Sequence, residues 1–310
     1  MSAIKGNRLN SGYDLSTGSI SKILFDTIKV GIIKSNLISM FAGLSMALLV
    51  NDIPFYNEIG NILLALIGSA LVIGSAGAFN NVYDRDIDVI MERTKSRPTV
   101  TGTVSLGSGL AIGIMMAIGG IAALYAAAPL SALFGFLGLF LYVVPYTMWT
   151  KRRTVYNTEV GSLSGAVPPL IGWTAISSDI THMGLAALFV LMLIWQMPHF
   201  YAIAIRRMEE YRAANIPMLP VVKGMRRTYR QTNFYLVLLL FSGLLFWSFS
   251  PFVAITSVVL SAGWLVLSLA GYRRMGTDGW AKSMFIFSLN HITILLLIVI
   301  GYSLIKPLMG

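Results

Sequence analysis

Asn80, Asp84 and Asp88 recur every four residues in the stretch NNVYDRDIDVIMERTKSR, residues 80–97. A step of four along a helix turns the chain by about 40°, so these three oxygen-bearing side chains share one face. Asp86 points roughly the other way. Hard oxygen donors suit Mg2+, commonly held by one or two carboxylates together with phosphate oxygens and water. Arg93, Lys95 and Arg97 follow at once, and guanidinium groups contact phosphate in a bidentate manner. Acid followed by base therefore points to a magnesium–diphosphate cradle, with Asp84 and Asp88 as candidate metal ligands. The plainer reading is a solvated helix end of mixed charge. The setting weighs against it. More than twenty mostly apolar residues precede this stretch, which still holds eight of the chain's 36 charged residues. A carboxylate at membrane depth costs about 2.5–3.5 kcal/mol even on lenient scales, so such a cluster needs partners.

The elements that must position this cluster are membrane helices. The chain has 310 residues, 56% hydrophobic and only 12% charged, whereas a soluble protein would be nearer about a quarter charged. Several apolar runs are long enough to cross a bilayer. The expected architecture is all-α: a polytopic bundle of nine transmembrane helices at 30–50, 60–83, 106–126, 128–148, 158–178, 183–205, 232–250, 252–272 and 284–305. Two of the divisions rest on Pro129 in AAAPLS and Pro251 in SFSPF, both natural turn residues. With this division, 22 of the 23 Lys and Arg fall on one side and only Lys306 on the other. The positive-inside rule then places the N-terminus in the cytoplasm and the C-terminus outside. Residues 1–28, with no signal-peptide core, read as a polar cytoplasmic tail, and 29–310 as the transmembrane domain. The absence of cysteine excludes disulfides, thiolate metal sites and cysteine nucleophiles. The net charge of +10 is explained by the loops, so the expected partner is the lipid bilayer and not nucleic acid.

A second polar constellation ends the sixth span, in WQMPHFYAIAIRRMEEYRAANIPMLPVV. On a continuous helix Arg206 and Glu210 lie within about 20° of His199, and Gln196 about 60° away. Glu209 falls on the flank. His182 reads as interfacial, and His291 as an interhelical hydrogen-bonding residue. Lys151, Arg152 and Arg153, like Lys223, Arg226 and Arg227, are first of all the basic loops that topology demands. Gly165, Pro168 and Pro169 interrupt the fifth span, which lipid tolerates where protein or a cavity surrounds the backbone.

Asn80-x3-Asp84-x3-Asp88 resembles the first aspartate-rich motif of the UbiA-type intramembrane prenyltransferases. Four longer strings are similar to the protohaem IX farnesyltransferase (haem O synthase) branch: DRDIDVIMERTKSRP, KRRTVYNTEVGSLSGAVPPLIGW, WQMPHFYAIAI and IPMLPVVKG. The resemblance runs from about residue 25 to the last span. It implies transfer of a farnesyl group from farnesyl diphosphate to a vinyl group of haem B, giving haem O and diphosphate with Mg2+ as cofactor. It also implies acidic motifs from helices two and six facing each other near the cytoplasmic side of the inner membrane. The implied catalytic set is Asn80, Asp84, Asp88, His199 and Glu210. Arg93, Lys95, Arg97, Lys151 and Arg152 are the implied diphosphate contacts, and Gln196 and His199 the haem contacts. The implied protein partner belongs to haem-copper oxidase assembly or is a haem A synthase. The second motif is usually aspartate; here the residue before Tyr211 is Glu210, whose longer side chain still reaches a metal. His199 is open to two roles, axial ligand to haem iron or proton carrier near the vinyl group.

Two rivals are weighed. A relative that prenylates 4-hydroxybenzoate or a quinone precursor disagrees with the WQMPHF and PMLPVV strings. A cation transporter would use Asp84 and Asp88 as an ion site, but transporter carboxylates usually lie near the bilayer midplane. These lie at a span end beside three bases.

Overall fold

In hydrocarbon every backbone N–H and C=O must find a partner within its own segment, which selects helices for apolar runs of this length. The computed structural model describes residues 20–309, and these form helices and short connections with no strand. Eight helical stretches are long and apolar enough to cross a membrane: Val30–Val50, Phe55–Tyr83, Leu106–Ala127, Pro129–Thr150, Met183–Arg206, Leu219–Ser248, Pro251–Arg274 and Gly276–Leu308. The chain is a multi-pass helical membrane protein. Residues 1–19, most of the expected tail, lie outside the described residues. Residues 20–28, its last part, form helix α1 (Ile20–Ile28), which packs on α3 (Ile59–Tyr83). Asn81 Nδ2 ties the two by donating to the Thr27 carbonyl at 2.8 Å.

Of the nine expected spans, the interrupted fifth is not one of these long helices. Residues 158–178 contain two short helices instead, α8 (Asn157–Gly165) and α9 (Pro168–Thr174). Pro168 and Pro169 have no N–H to continue the ladder, so α8 stops and a new helix starts with proline in its first turn. Neither piece crosses a bilayer alone. The second piece is held by α2 (Val30–Val50), which packs closely along α9. Gly43 lies against the Pro169 carbonyl and Gly172 against that of Met40. A Cβ at either glycine would overlap main-chain atoms, so the two backbones touch there.

The remaining elements are α4 (Arg85–Asp88), α5 (Pro98–Thr101), α6 (Leu106–Ala127), α7 (Pro129–Leu141), α10 (Met183–Arg206), α11 (Met208–Ala213), α12 (Leu219–Ser242), α13 (Pro251–Arg274) and α14 (Gly276–Ile305). Pro129 and Pro251 open α7 and α13, as the turn reading expects. Neighbours pack in turn: α3 along α6, α6 on α7, α8 on α10, α10 on α12, α12 on α13, α13 on α14, and α14 back onto α2. The largest fully buried side chains are Trp173, Trp264, Trp280, Tyr201 and Phe246. Ile114, Ile118, Phe136, Val259 and Val266 are exposed, as expected of side chains that face lipid.

Residues 142–150, which extend α7, form a wide π-helical turn. Pro145 lies inside it and supplies no N–H, and the bonds close over five residues. Lys151 N donates to Tyr146 O at 2.9 Å and Thr150 Oγ1 to Pro145 O at 2.8 Å. Wide turns of this kind often occur at functional sites. This one delivers Lys151 and Arg152 to the end of α3.

Candidate active site

The first motif keeps its one-sided geometry although the helix breaks within it. Asp84 caps α3, and Asp88 N still donates to Asp84 O at 2.8 Å, preserving the four-residue step into α4. Asn80, Asp84 and Asp88 are all buried, whereas the Asp86 side chain is 65% exposed. Asn80 Nδ2 donates to Asp84 Oδ2 at 2.7 Å and lies 3.3 Å from Thr147 Oγ1 in the wide turn.

Cations from three separate segments close on this face. Lys151 Nζ pairs with Asp84 Oδ2, and Arg152 Nη2 reaches Asp84 Oδ1 at 3.4 Å. Arg97 Nη1 pairs with Asp88. Lys29, between α1 and α2, donates to the Asn80 amide oxygen. Burial, followed by the nearby Arg97 and Lys151 charges, pushes the Lys29 ammonium well below the usual lysine range. Its backbone is left-handed at φ 57°, an uncommon conformation for a side-chain residue that is found more often at functional positions. The sequence reading assigned Lys29 only to loop charge. Its partner is 51 residues away, so no local spacing could reveal it.

Arg152 has a second engagement. Its two terminal nitrogens grip Asp86 at 2.6 and 2.7 Å, and its guanidinium lies 5.0 Å from the Tyr83 ring centroid. That fork holds the Asp86 carboxyl below its ordinary range and raises the guanidinium. Asp86 thus positions a base of the site from outside it. Arg93 lines a cavity of about 290 Å3 with Lys29 and Arg97, with Asp26 on its wall. Lys95 is not brought in: it pairs with Glu92 at 2.6 Å on the surface.

The second constellation is arranged differently from the helical-wheel expectation. Arg207, with φ −119° and ψ 22°, interrupts the helix, so α10 ends at Arg206 and Glu210 belongs to α11. Alignment of His199 with Glu210 assumed one unbroken helix, and it does not hold. Glu210 Oε1 accepts from Arg207 at 2.5 Å, and its Oε2 is buried with no partner among the described residues. His199 stacks between Trp195 and Phe285, at 4.7 and 5.3 Å, and its Nδ1 lies 2.7 Å from Ser288 Oγ on α14. Ser288 gives its only proton to Phe285 O at 2.5 Å. Its oxygen therefore accepts from His199 Nδ1–H, and the lone pair is left on Nε2. Gln196 is buried against α8, with Nε2 donating to Ser162 O and Met192 O at 3.1 and 2.7 Å. Among the described residues no hydrogen bond or ion pair joins His199 or Glu210 to the first cluster. The two loops nevertheless meet. Ile87 and Met91 pack with Ala204, Ala214, Ile216 and Met218, and Tyr211 covers them.

The sequence reading also missed Glu159. In α8 its Oε1 accepts from Tyr201 OH at 2.7 Å and Gln231 Nε2 at 2.8 Å, while Oε2 is buried and unpartnered. An acid just inside an expected span was the available signal.

The sequence pattern of the UbiA prenyltransferase family matches residues 36–290. The chain belongs to the UbiA prenyltransferase family. Relatives named protoheme IX farnesyltransferase are similar over nearly the whole length. One from Shouchella clausii is 60% identical, covering 94% of this chain and 93% of its own. One from Bacillus subtilis, named protoheme IX farnesyltransferase 2, is 48% identical, covering 88% and 89%. Solved structures share the fold of this UbiA-family chain at low identity. A digeranylgeranylglyceryl phosphate synthase superposes with a TM-score of 0.73 at 15% identity, covering 92% of this chain and 98% of its own. A UbiA homologue from Archaeoglobus fulgidus bound to GPP and Mg2+ gives 0.64 at 13% identity, with 90% and 99% covered.

Proposed function

We propose that this UbiA-family prenyltransferase moves the farnesyl group of farnesyl diphosphate onto a vinyl group of haem B, giving haem O and diphosphate. The observation that carries the reading is the buried Asn80–Asp84–Asp88 face closed by Lys29, Arg97, Lys151 and Arg152. Similarity to the protoheme IX farnesyltransferases over nearly the whole chain supplies the acceptor. The donor set fits Mg2+: two buried carboxylates and an amide oxygen are hard ligands, and carboxylates combined with substrate phosphate are its usual company. Asp84 and Asp88 would hold the ion, which when bound offsets the charge that develops on the departing diphosphate.

The chain's own residues do the rest. Lys29, Arg93 and Arg97 line one small cavity, and Lys151 and Arg152 approach from the wide turn, so a diphosphate entering here meets donors on two sides. As the C–O bond to diphosphate breaks, the allylic cation must be shielded from water until the vinyl carbon forms the new C–C bond. The apolar contact of Ile87 and Met91 with Ala204, Ile216 and Met218 walls the site between its two loops. Water then adds to the cation left beside the macrocycle, and a proton is lost. His199 is the candidate base, because the bond to Ser288 directs its free lone pair to Nε2. Glu210, with an unengaged carboxylate oxygen, is the candidate acid of the second motif. The orientation that puts these loops in the cytoplasm, with residues 1–28 as tail and 29–310 as the membrane domain, rests on 22 of 23 bases falling on that side.

The test is purified protein in lipid with haem B, farnesyl diphosphate and Mg2+, followed by mass spectrometry of the extracted haem. The expected product is heavier than haem B by one farnesyl group and one hydroxyl group. Unaltered haem B in complete mixtures would remove the proposal.

A further inference from the structure

A cavity of about 390 Å3 opens between the loop after Lys151 and the start of α12, lined by Val155, Tyr156, Leu219, Lys223, Arg227 and Gln231. Two of these residues are cations and none is an acid. Among the described residues neither Lys223 nor Arg227 has a carboxylate partner, while Arg97, Lys151 and Arg152 all do. Unpaired bases at the inner end of a span satisfy topology, and that is the plainer account of them.

Three observations single out this pair. The first is that the two cations border a half-open recess with an apolar wall of Val155 and Leu219. The second is Gly224, which lies between them with φ 71° and ψ 173° and breaks the helical path of α12. That conformation suits glycine and costs any other residue. Thr228 Oγ1 donates to the Gly224 carbonyl at 3.0 Å and closes the break. Lys223 and Arg227 therefore approach the mouth from two differently directed segments. The third is position. Val155 is four residues from Lys151, so their Cα atoms are at most about 14 Å apart. One lining residue of the recess therefore lies within about 14 Å of a candidate diphosphate contact.

We propose that this cavity takes the two propionate carboxylates of the haem substrate, one on Lys223 and one on Arg227, with the macrocycle edge against Val155, Tyr156 and Leu219. The assignment rests on the haem reading above. It fits the acceptor's chemistry, a flat apolar ring with both carboxylates on one edge and its vinyl groups away from that edge. Cations at the wet mouth fix the carboxylate edge and turn the vinyl groups inward.

The experiment compares haem B with its dimethyl ester, which keeps the ring and vinyl groups but loses both charges. Losing a charge-assisted hydrogen bond at this half-open site is expected to cost about tenfold. The wild-type protein should favour haem B over the ester by about tenfold or more in kcat/KM. Lys223→Gln combined with Arg227→Gln should erase the preference by raising KM for haem B alone, with KM for farnesyl diphosphate unchanged. Arg226→Gln removes the same charge one position outside the recess and should keep the preference. Equal use of haem and ester by the wild type overturns the proposal. So does a double variant that still discriminates, which would leave these cations to lipid phosphate or to topology. The wild-type comparison needs no variant, so misfolding of the double variant does not shield the proposal. No product from either acceptor with the wild type would instead count against the farnesyl-transfer reading itself.

Discussion

The two acidic regions that abut at the mouth of the bundle are built in opposite ways. After α3, the partners of the motif come mostly from other segments: Lys151 lies 67 residues from Asp84 and Lys29 lies 51 residues from Asn80, while Arg97 reaches Asp88 from nine residues on. After α10, Glu210 is answered by Arg207 three residues before it, and Glu209 by Arg212 three residues after it. The first region exists only when several spans have assembled, while the second is a local turn that any short helix can make. Buried acids with remote partners are costly to disturb, whereas an exposed i,i+3 pair such as Glu209–Arg212 contributes about 0.3–0.5 kcal/mol. On the proposed function, the chemistry belongs to the first region and an adjustable contact to the second.

Breaking the first region should have the largest effect. Asp84→Asn keeps the shape and an acceptor for Lys151 but removes the charge, and kcat should fall at least about a hundredfold. Circular dichroism should show unchanged helix content, and turnover within a few fold of wild type would take Asp84 out of the site. Glu210→Gln should cost much less, about tenfold in kcat/KM, since its Arg207 partner is local and half-exposed. An effect equal to that of Asp84→Asn would erase the distinction between the two regions. The smallest change is expected at Asp86, which touches the site only through Arg152. Asp86→Asn should lower stability at neutral pH by no more than about 1 kcal/mol, given its exposure. The Asp86 carboxyl is held below its ordinary range in the folded state by Arg152. Its contribution is therefore present above the unfolded pKa and lost as pH falls through the folded one. Thermal unfolding of wild type and variant should differ at neutral pH and converge in acid; a gap that widens in acid would contradict the ion pair.

Much of this was legible from spacing, because spacing is local. Asn80, Asp84 and Asp88 are four apart, and a helix obliges them to share a face even though α3 ends between them. Pro129 and Pro251 marked their turns for a similarly local reason. The alignment of His199 with Glu210 failed because nothing in IRRMEEY announces the break at Arg207, and an eleven-residue extrapolation tolerates no break. Lys29 and the Glu159–Tyr201–Gln231 cluster escaped because tertiary packing alone brings their members together. The fifth span was seen to be interrupted, but Pro168 and Pro169 split it into two helices and did not merely kink it. Lys95 shows the converse limit: it stands in the right string, yet its side chain turns to Glu92.

Where α2 crosses α9, Gly43 and Gly172 leave no room for even a methyl group. Redesign therefore has latitude among the loops that carry the charged residues but none at this crossing. Enlarging either glycine would pry α2 and α9 apart, because the added Cβ would meet main-chain atoms of the other helix.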